Sequence, residues 1–524
     1  MGGAGSKGSK ASSSRAPGKQ RSGSPTLLAS SAQPDERPSA SEESLTKGRR
    51  AILRLHSVVN LRKSAKVANM LEKLTDVSAT GSPGAKRGGK LEEKCARYTK
   101  ADAIWAALET RNVRLVSMNW LIRFATVKED RKGPPRLPRR QDLPEEAFVD
   151  LVDLQEYYGH GSADNVLPIV SISYCWLTPG HPDPDGDQLR AVATKLAQQR
   201  SKYKDFNFED MGIFWDWMSL HQRDPSLWSS FMTRPENKLN ATQLAKKRKY
   251  EDSRTDEEVE SIRWALSKSM DLWYAHAGTS VFMLTEMPAR FNRSRPSYDE
   301  SGWTTYERCC TELVKENELD YAGWRLVHEL DTSGAQKGRR KSCKTLGGGR
   351  RWPIGPDDFD KIIEGKTFTN GADRDSVREL YRQLSTELLG CTLMLDFGNM
   401  QSPSEEDAAR LGKCLNLCDH LETLDLHSVA MSDGASVALF KQLKDNALPR
   451  VKEIALNDNE IEDEGMQALA DAFTRGALRR IRNFYNPSDS DEKETFNPLT
   501  SGINLSENPG DRSPINRALG AQIF

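Results

Sequence analysis

Residues 166–177 read VLPIVSISYCWL, and this stretch decides the fold class. It is almost wholly apolar and rich in Val, Ile and Tyr, which is how a strand buried on both faces of a parallel sheet reads. Working outward, the loop HPDPDGD (181–187) comes after it. Leu189, Val192, Ala193 and Leu196 then share one helical face, with Asp187 placed to cap it. GIFWDWMSL (212–220) is expected as a second strand, and the charged residues 223–257 as a loop. Val259, Ile262, Leu266, Met270 and Trp273 keep three-and-four spacing as far as Ala277, so one helix is expected to run up to a stop at Gly278. TSVFMLTEM (279–287) is the third strand, and Trp303, Tyr306, Cys310 and Leu313 mark the next helix. Alternation of strand and helix predicts an α/β domain with a doubly wound parallel sheet over residues 141–321.

Beyond a connector at 322–390 the pattern changes. The connector's basic stretch GAQKGRRKSCKTLGGGRR is expected as a loop, and its residues 374–389 as a helix packed on the first unit of the C-terminal segment. From residue 391 to 524 the pairs Leu393-x-Leu395, Leu424-x-Leu426, Ile454-x-Leu456 and Ile503-x-Leu505 recur at spacings of 31, 30 and 49, the last stretched by a polar insertion at 486–500. Each pair precedes a polar loop and a helix whose apolar face is, in turn, Ala408, Leu411, Cys414 and Leu415; Val437, Leu439 and Leu443; Met466, Leu469 and Phe473; and Ile515, Ala518 and Leu519. Asn459 and Asn508 stand three residues after the second apolar position, where a side chain can bond turn backbone. One such unit cannot bury its own face, and stacking shares a core. The unit resembles the ribonuclease-inhibitor class of leucine-rich repeat. The resemblance implies a short solenoid of about four repeats that binds a protein partner on its concave face.

Toward the N terminus, residues 1–48 hold Ser, Gly, Pro, Lys and Arg with few large apolar residues, and are expected to be disordered. Residues 1–90 carry 17 Lys/Arg against 6 Asp/Glu in a chain of zero formal net charge. A basic tail on an acidic body fits an anionic surface. Met1-Gly2-Gly3-Ala4-Gly5-Ser6 fits the myristoylation pattern with Gly2 as acceptor, and also fits a Gly/Ser tail that matches by chance. Lys7, Lys10, Arg15, Lys19 and Arg21 would add the second signal that one acyl chain needs at a membrane. Residues 49–140 are read as a helical region with a Gly/Ser/Lys linker at 78–90. Its helix at 49–75 could lie on a membrane, but packing on the next domain is the preferred reading. A cytoplasmic chain, membrane-tethered where Gly2 is acylated, is expected. Two basic runs, Lys246-Lys247-Arg248-Lys249 and Arg339-Arg340-Lys341, are read as solvated loops ahead of nuclear import signals, and nucleic acid is not the expected partner. The 8 cysteines form no CxxC pair or zinc spacing, which favours a reduced compartment and no metal. There is no apolar run of membrane-spanning length and no GxxxxGK[ST] phosphate loop.

The middle domain carries a second resemblance. Ile172-Ser173-Tyr174 resembles the first strand of Toll/interleukin-1 receptor (TIR) domains. The series Ser173-Tyr174-Cys175-Trp176, Asp216 to Gln222, Trp273-Tyr274-Ala275, Ser280–Leu284 and Trp303 to Glu307 resembles the fungal heterokaryon-incompatibility (HET) domain. It covers residues 166–320, about a third of the chain. It departs from the family in the charged 223–257 segment and in Trp215-Asp216-Trp217. The resemblance implies a module for self-association or signalling. It also carries an alternative: in TIR enzymes a glutamate four residues after a tryptophan assists cleavage of the nicotinamide–ribose bond of NAD, and Glu307 stands four after Trp303. NAD would then be a substrate, and no bound cofactor is expected. Helical geometry puts Glu307 at the edge of the apolar stripe, where a carboxyl is desolvated and its pKa rises. A carboxylate so placed can stabilise an oxocarbenium-like state. Tyr174, Trp176, Asp216, His221 and Trp303 are the candidates for lining the same cleft, because ligands of open α/β sheets sit at strand carboxyl ends.

Overall fold

The computed structural model describes residues 95–126, 135–161, 166–291, 295–316, 318–319, 324–335, 350–368, 373–484 and 502–522. Gly2, the tail (1–48), the helix at 49–75, the linker at 78–90, most of the basic stretch 334–351 and the insertion at 486–500 lie outside the described residues. The chain is mixed α/β, built on sheets of parallel strands. Among the described residues no helix is long and apolar enough to cross a membrane.

The strands of the first half are β1 (Val116–Ser117), β2 (Ile169–Tyr174), β3 (Gly212–Phe214), β4 (Ser280–Leu284), β5 (Glu318–Leu319), β6 (Trp324–Arg325) and β7 (Val327–Leu330). β5 and β6 form a small antiparallel ribbon, and the rest form one sheet in the order β1-β3-β2-β4-β7. β3, β2, β4 and β7 run parallel, and β1 lies antiparallel on the edge. All six residues of β2 are buried, as an apolar strand covered on both faces requires. The sheet reaches past residues 141 and 321 on both sides, because β1 and β7 belong to it.

Several local expectations are corrected. The second strand ends at Phe214, and Asp216–Ser219 is a helical turn. The Ser219 hydroxyl accepts from the Trp215 amide at 3.0 Å and so curls the chain out of the sheet. Within 223–257, Ala241–Glu251 is a helix rather than loop. An Asn240/Gln243 capping box starts it, and its Ala, Leu and Lys are strong helix formers. The helix expected to run through Ala277 breaks at Ser269 into Asp256–Lys268 and Met270–Ala275. Arg97 takes the Lys268 carbonyl at 2.7 Å, which satisfies the interrupted ladder. Asp187 does not cap its helix. Asp183 does, accepting from the Asp187 and Leu189 amides at 2.9 and 2.8 Å, while Asp187 pairs with Arg190 and Arg290.

The second half holds β8 (Met394–Asp396), β9 (Thr423–Asp425), β10 (Glu453–Ala455), β11 (Asn483–Phe484) and β12 (Gly502–Asn504), all parallel, in the order β11-β12-β10-β9-β8. Leu395, Leu424, Ile454 and Ile503 stand in one register across four strands and are buried, each worth roughly 1.5–3 kcal/mol in burial. The equivalent of Leu424-x-Leu426 in the first unit is therefore Leu395-x-Phe397, two residues later than the spacing suggested. Helices Glu405–Leu415, Asp433–Gln442, Asp463–Thr474 and Ser513–Gln522 stack in sequence order behind the strands. Asn459 bonds the turns as expected. Its amide group donates to Leu426 and Leu456 carbonyls at 2.8 and 2.9 Å, and its oxygen accepts from the Val429 and Met431 amides. Asn508 repeats the arrangement one strand along. Asn399, Ser428, Asp458 and Glu507 hold the same left-handed turn position in the four units, at φ 59, 52, 57 and 57. β11, on the sheet edge, has no counterpart in the repeat spacing.

Helix Asp373–Cys391 joins the two halves. It packs on Gly302–Glu312, which covers the first sheet, and on Pro356–Glu364. It also meets the first repeat, where the Gly390 carbonyl bonds the His420 ring at 2.8 Å. Buried Arg350 spans the joint, donating to the Asp396 and Glu312 carbonyls at 2.8 and 3.3 Å.

Candidate functional site

β2 carries two serines in an otherwise apolar strand. Alternation places Ser171 and Ser173 on one face, and buried hydroxyls need partners. Ser171 donates to the Trp273 carbonyl at 2.7 Å. Ser173 donates to Glu307 Oε2 at 2.5 Å and shares a 2.6 Å hydrogen bond with the Tyr298 hydroxyl. Tyr298 sits in the turn before helix Gly302–Glu312, and Glu307 sits in the middle of that helix. Next along β2, Tyr174 donates to Asp216 Oδ1 at 2.6 Å. Asp216 opens the helical turn after β3, where it also accepts from the Trp217 amide. Trp176 packs edge-on against Trp217, with ring centres 5.2 Å apart.

Two carboxyls thus stand behind the carboxyl end of β2. Glu307 is 7% exposed. Burial pushes its carboxyl well above the ordinary range, the Ser173 hydrogen bond opposes this, and nearby Asp216 adds to it. Burial likewise raises Asp216. A neutral Glu307 can give a proton, and once ionised it is a poorly solvated negative charge suited to a cationic centre.

The sequence candidates divide. Tyr174, Trp176, Asp216 and Glu307 come together at the ends of β2 and β3. His221 does not join them: its ring bonds the Ser261 hydroxyl at 3.1 Å, and burial with Arg140 nearby lowers its pKa to about 4. Trp303 turns the other way, donating to Asp373 at 3.1 Å and packing edge-on against Tyr306. Ser173 and Tyr298 were not among the candidates. The two serines at alternate positions in a buried strand were the signal for Ser173. Tyr298 lies in a polar loop and announces nothing. Two surface depressions lie on the repeats, one beside Gln467, Thr474 and Arg517, the other beside Asp433, Asp463 and Gly510. Among the described residues no three His, Cys, Asp or Glu side chains gather as metal ligands would.

The strand side of the repeats is the second candidate. Met394, Asp396, Thr423, Asp425, Glu453 and Ala455 flank the inward residues and so point to the opposite face. Met394 is 48% exposed, and the others are half-buried. His427 lies over this face, its ring bonding Asp425 at 2.6 Å and Asn399 at 3.0 Å. The Asp425 hydrogen bond raises its pKa.

Comparison with protein-family models, curated proteins and solved structures returned no match.

Proposed function

We propose that the chain is an intracellular interaction and signalling module, with its repeats as the partner-binding surface and the first sheet as a TIR/HET-like unit for self-association. The observation that carries this is the single register of Leu395, Leu424, Ile454 and Ile503 across four parallel strands. It makes one continuous face of the kind leucine-rich repeats use. Asp396, Asp425 and Glu453 on that face, with Lys452 already paired to Glu422, favour a partner that presents basic groups. For the first half, the parallel order β3-β2-β4-β7 supports a doubly wound reading. Sedimentation velocity of the full chain over a range of concentrations tests self-association. A shift from monomer to defined oligomer is expected, and a monomer at every concentration would remove that part.

A second reading, cleavage of NAD with Glu307 as the acting carboxyl, is favoured by one observation. A carboxyl with a raised pKa lies beside Ser173, one residue from the carboxyl end of β2, in the register where such sheets place ligands. The assay is NAD loss with the full chain, wild type against Glu307→Gln. Turnover confined to the wild type carries the reading, and no turnover in either drops it. The full chain is needed because helix Gly302–Glu312, which holds Glu307, packs on Asp373–Cys391.

A further inference from the structure

Cys95 begins the described chain in the helical turn at 95–99, and Cys391 ends helix Asp373–Cys391. They are 296 residues apart, yet the Cys95 thiol lies 3.0 Å from the Cys391 carbonyl oxygen, to which it donates. The Cys391 thiol lies on the Leu388 carbonyl oxygen at 3.6 Å. Each cysteine is held on a different body of the fold. The Cys95 turn is fixed to helix Met270–Ala275 by Arg97 and Tyr98, which bond Asp271 at 2.9 and 2.7 Å, and by the Ala277 amide on the Tyr98 carbonyl at 2.8 Å. Cys391 stands three residues before β8, at the base of the repeats. A disulfide needs sulfurs at about 2.05 Å, and the contact of the Cys95 thiol with the Cys391 carbonyl sets the two cysteines side by side, where a side-chain rotation can bring the sulfurs together. Cys175, Cys309, Cys310, Cys414 and Cys418 are buried, and among the described cysteines Cys95 alone is half-exposed.

We propose that Cys95 and Cys391 are a reversible modification site, closing to a disulfide when a small disulfide oxidant such as oxidised glutathione reaches Cys95. The Cys95 thiolate attacks one sulfur of oxidised glutathione, breaks its S–S bond and releases one glutathione thiolate. Cys391 then loses its proton and attacks the Cys95 sulfur, forming the Cys95–Cys391 bond and releasing the second glutathione. The protein gives up two electrons, and the two glutathiones leave with them and with the two protons. The neighbouring Cys95 and burial both hold the Cys391 thiol well above its ordinary pKa, which makes its attack the slow step. The product is a covalent loop enclosing the whole first sheet and ending where the repeats start, so it pins the start of the described chain to the base of the repeats.

The test uses full-length reduced protein incubated with oxidised glutathione, alkylated in the native state and digested with trypsin without reduction. Cys95 falls in the peptide 95–97 and Cys391 in 383–410, each with no other cysteine, so mass spectrometry reads the link without ambiguity. The expected result is a 95–97/383–410 disulfide that accumulates with time and disappears on adding dithiothreitol. In Cys391→Ser, Cys95 should instead stop as its glutathione adduct. Wild-type Cys95 recovered as the alkylated thiol, as a lasting glutathione adduct, or linked to any other cysteine would overturn the proposal.

Discussion

Glu307 is a carboxyl held inside the fold by a serine hydroxyl. Because its pKa is raised on folding, the folded chain binds that proton more tightly than the unfolded chain does. The stability it contributes is full below its unfolded value of about 4.3 and is lost as pH rises toward the folded value. Glu307→Gln keeps the shape without the ionisation. Urea unfolding from about pH 5 to about pH 8 should therefore show the wild type losing stability relative to the variant as pH rises, and parallel pH profiles would contradict this. Asn459 poses the opposite case, a neutral side chain whose hydrogen bonds hold two adjacent turns. Asn459→Ala leaves buried amides and carbonyls without partners and should cost about 3 kcal/mol in urea unfolding at neutral pH; a cost under about 1 kcal/mol would contradict the role given to it. Both positions are legible in the sequence, Glu307 from its helical face and Asn459 from its offset within the repeat. Ser173 as partner to Glu307 is only half legible: the strand shows that its hydroxyl needs a partner but not which one. Tyr298 is not legible at all, because the contact is made by a loop folding back across more than a hundred residues.

Among the elements, those whose burial keeps to one period are the ones that can be read in advance. β2, β4 and the inward residues of the repeats belong here, as do the helix faces around Leu411, Leu439 and Phe473. The misread places are decided by single side chains capturing backbone: Ser219 ending β3, Arg97 at the break after Lys268, and Asp183 in place of Asp187 as cap. The two-residue shift in the first repeat has a similar origin, because Leu393, Leu395 and Phe397 offer two equally apolar pairs and only pairing with β9 chooses between them. Helix stacking supplies a further prediction. A Cβ on Gly412 would lie 2.5 Å from the Leu439 carbonyl oxygen of the next helix. That oxygen is backbone and cannot swing aside, so the gain in helix propensity is outweighed. Gly412→Ala should lower stability by about 1–3 kcal/mol, read as a lower urea midpoint; an unchanged or higher midpoint would mean the helices are less closely stacked.

For the whole molecule, the first sheet and the repeats share one continuous core through helix Asp373–Cys391, Arg350 and the Trp352–Phe397 contact. Calorimetry should accordingly give one unfolding transition rather than two, and two well-separated transitions would contradict that joint. Only half of this continuity was legible in sequence: the helix at 374–389 was expected on the first repeat, but its packing on the first sheet was not, because residues 322–390 read as a connector whose polar surface hides the buried faces of its helices. The central claim is that the strand face of the repeats binds a protein partner, and one comparison tests it most directly. The full chain and a variant with three cations added to that face (Met394→Arg, Thr423→Arg, Ala455→Arg) are used to capture partners from cells, after circular dichroism has shown equal folding. The account predicts a defined partner set with the wild type that the variant loses; an identical set with both would contradict it.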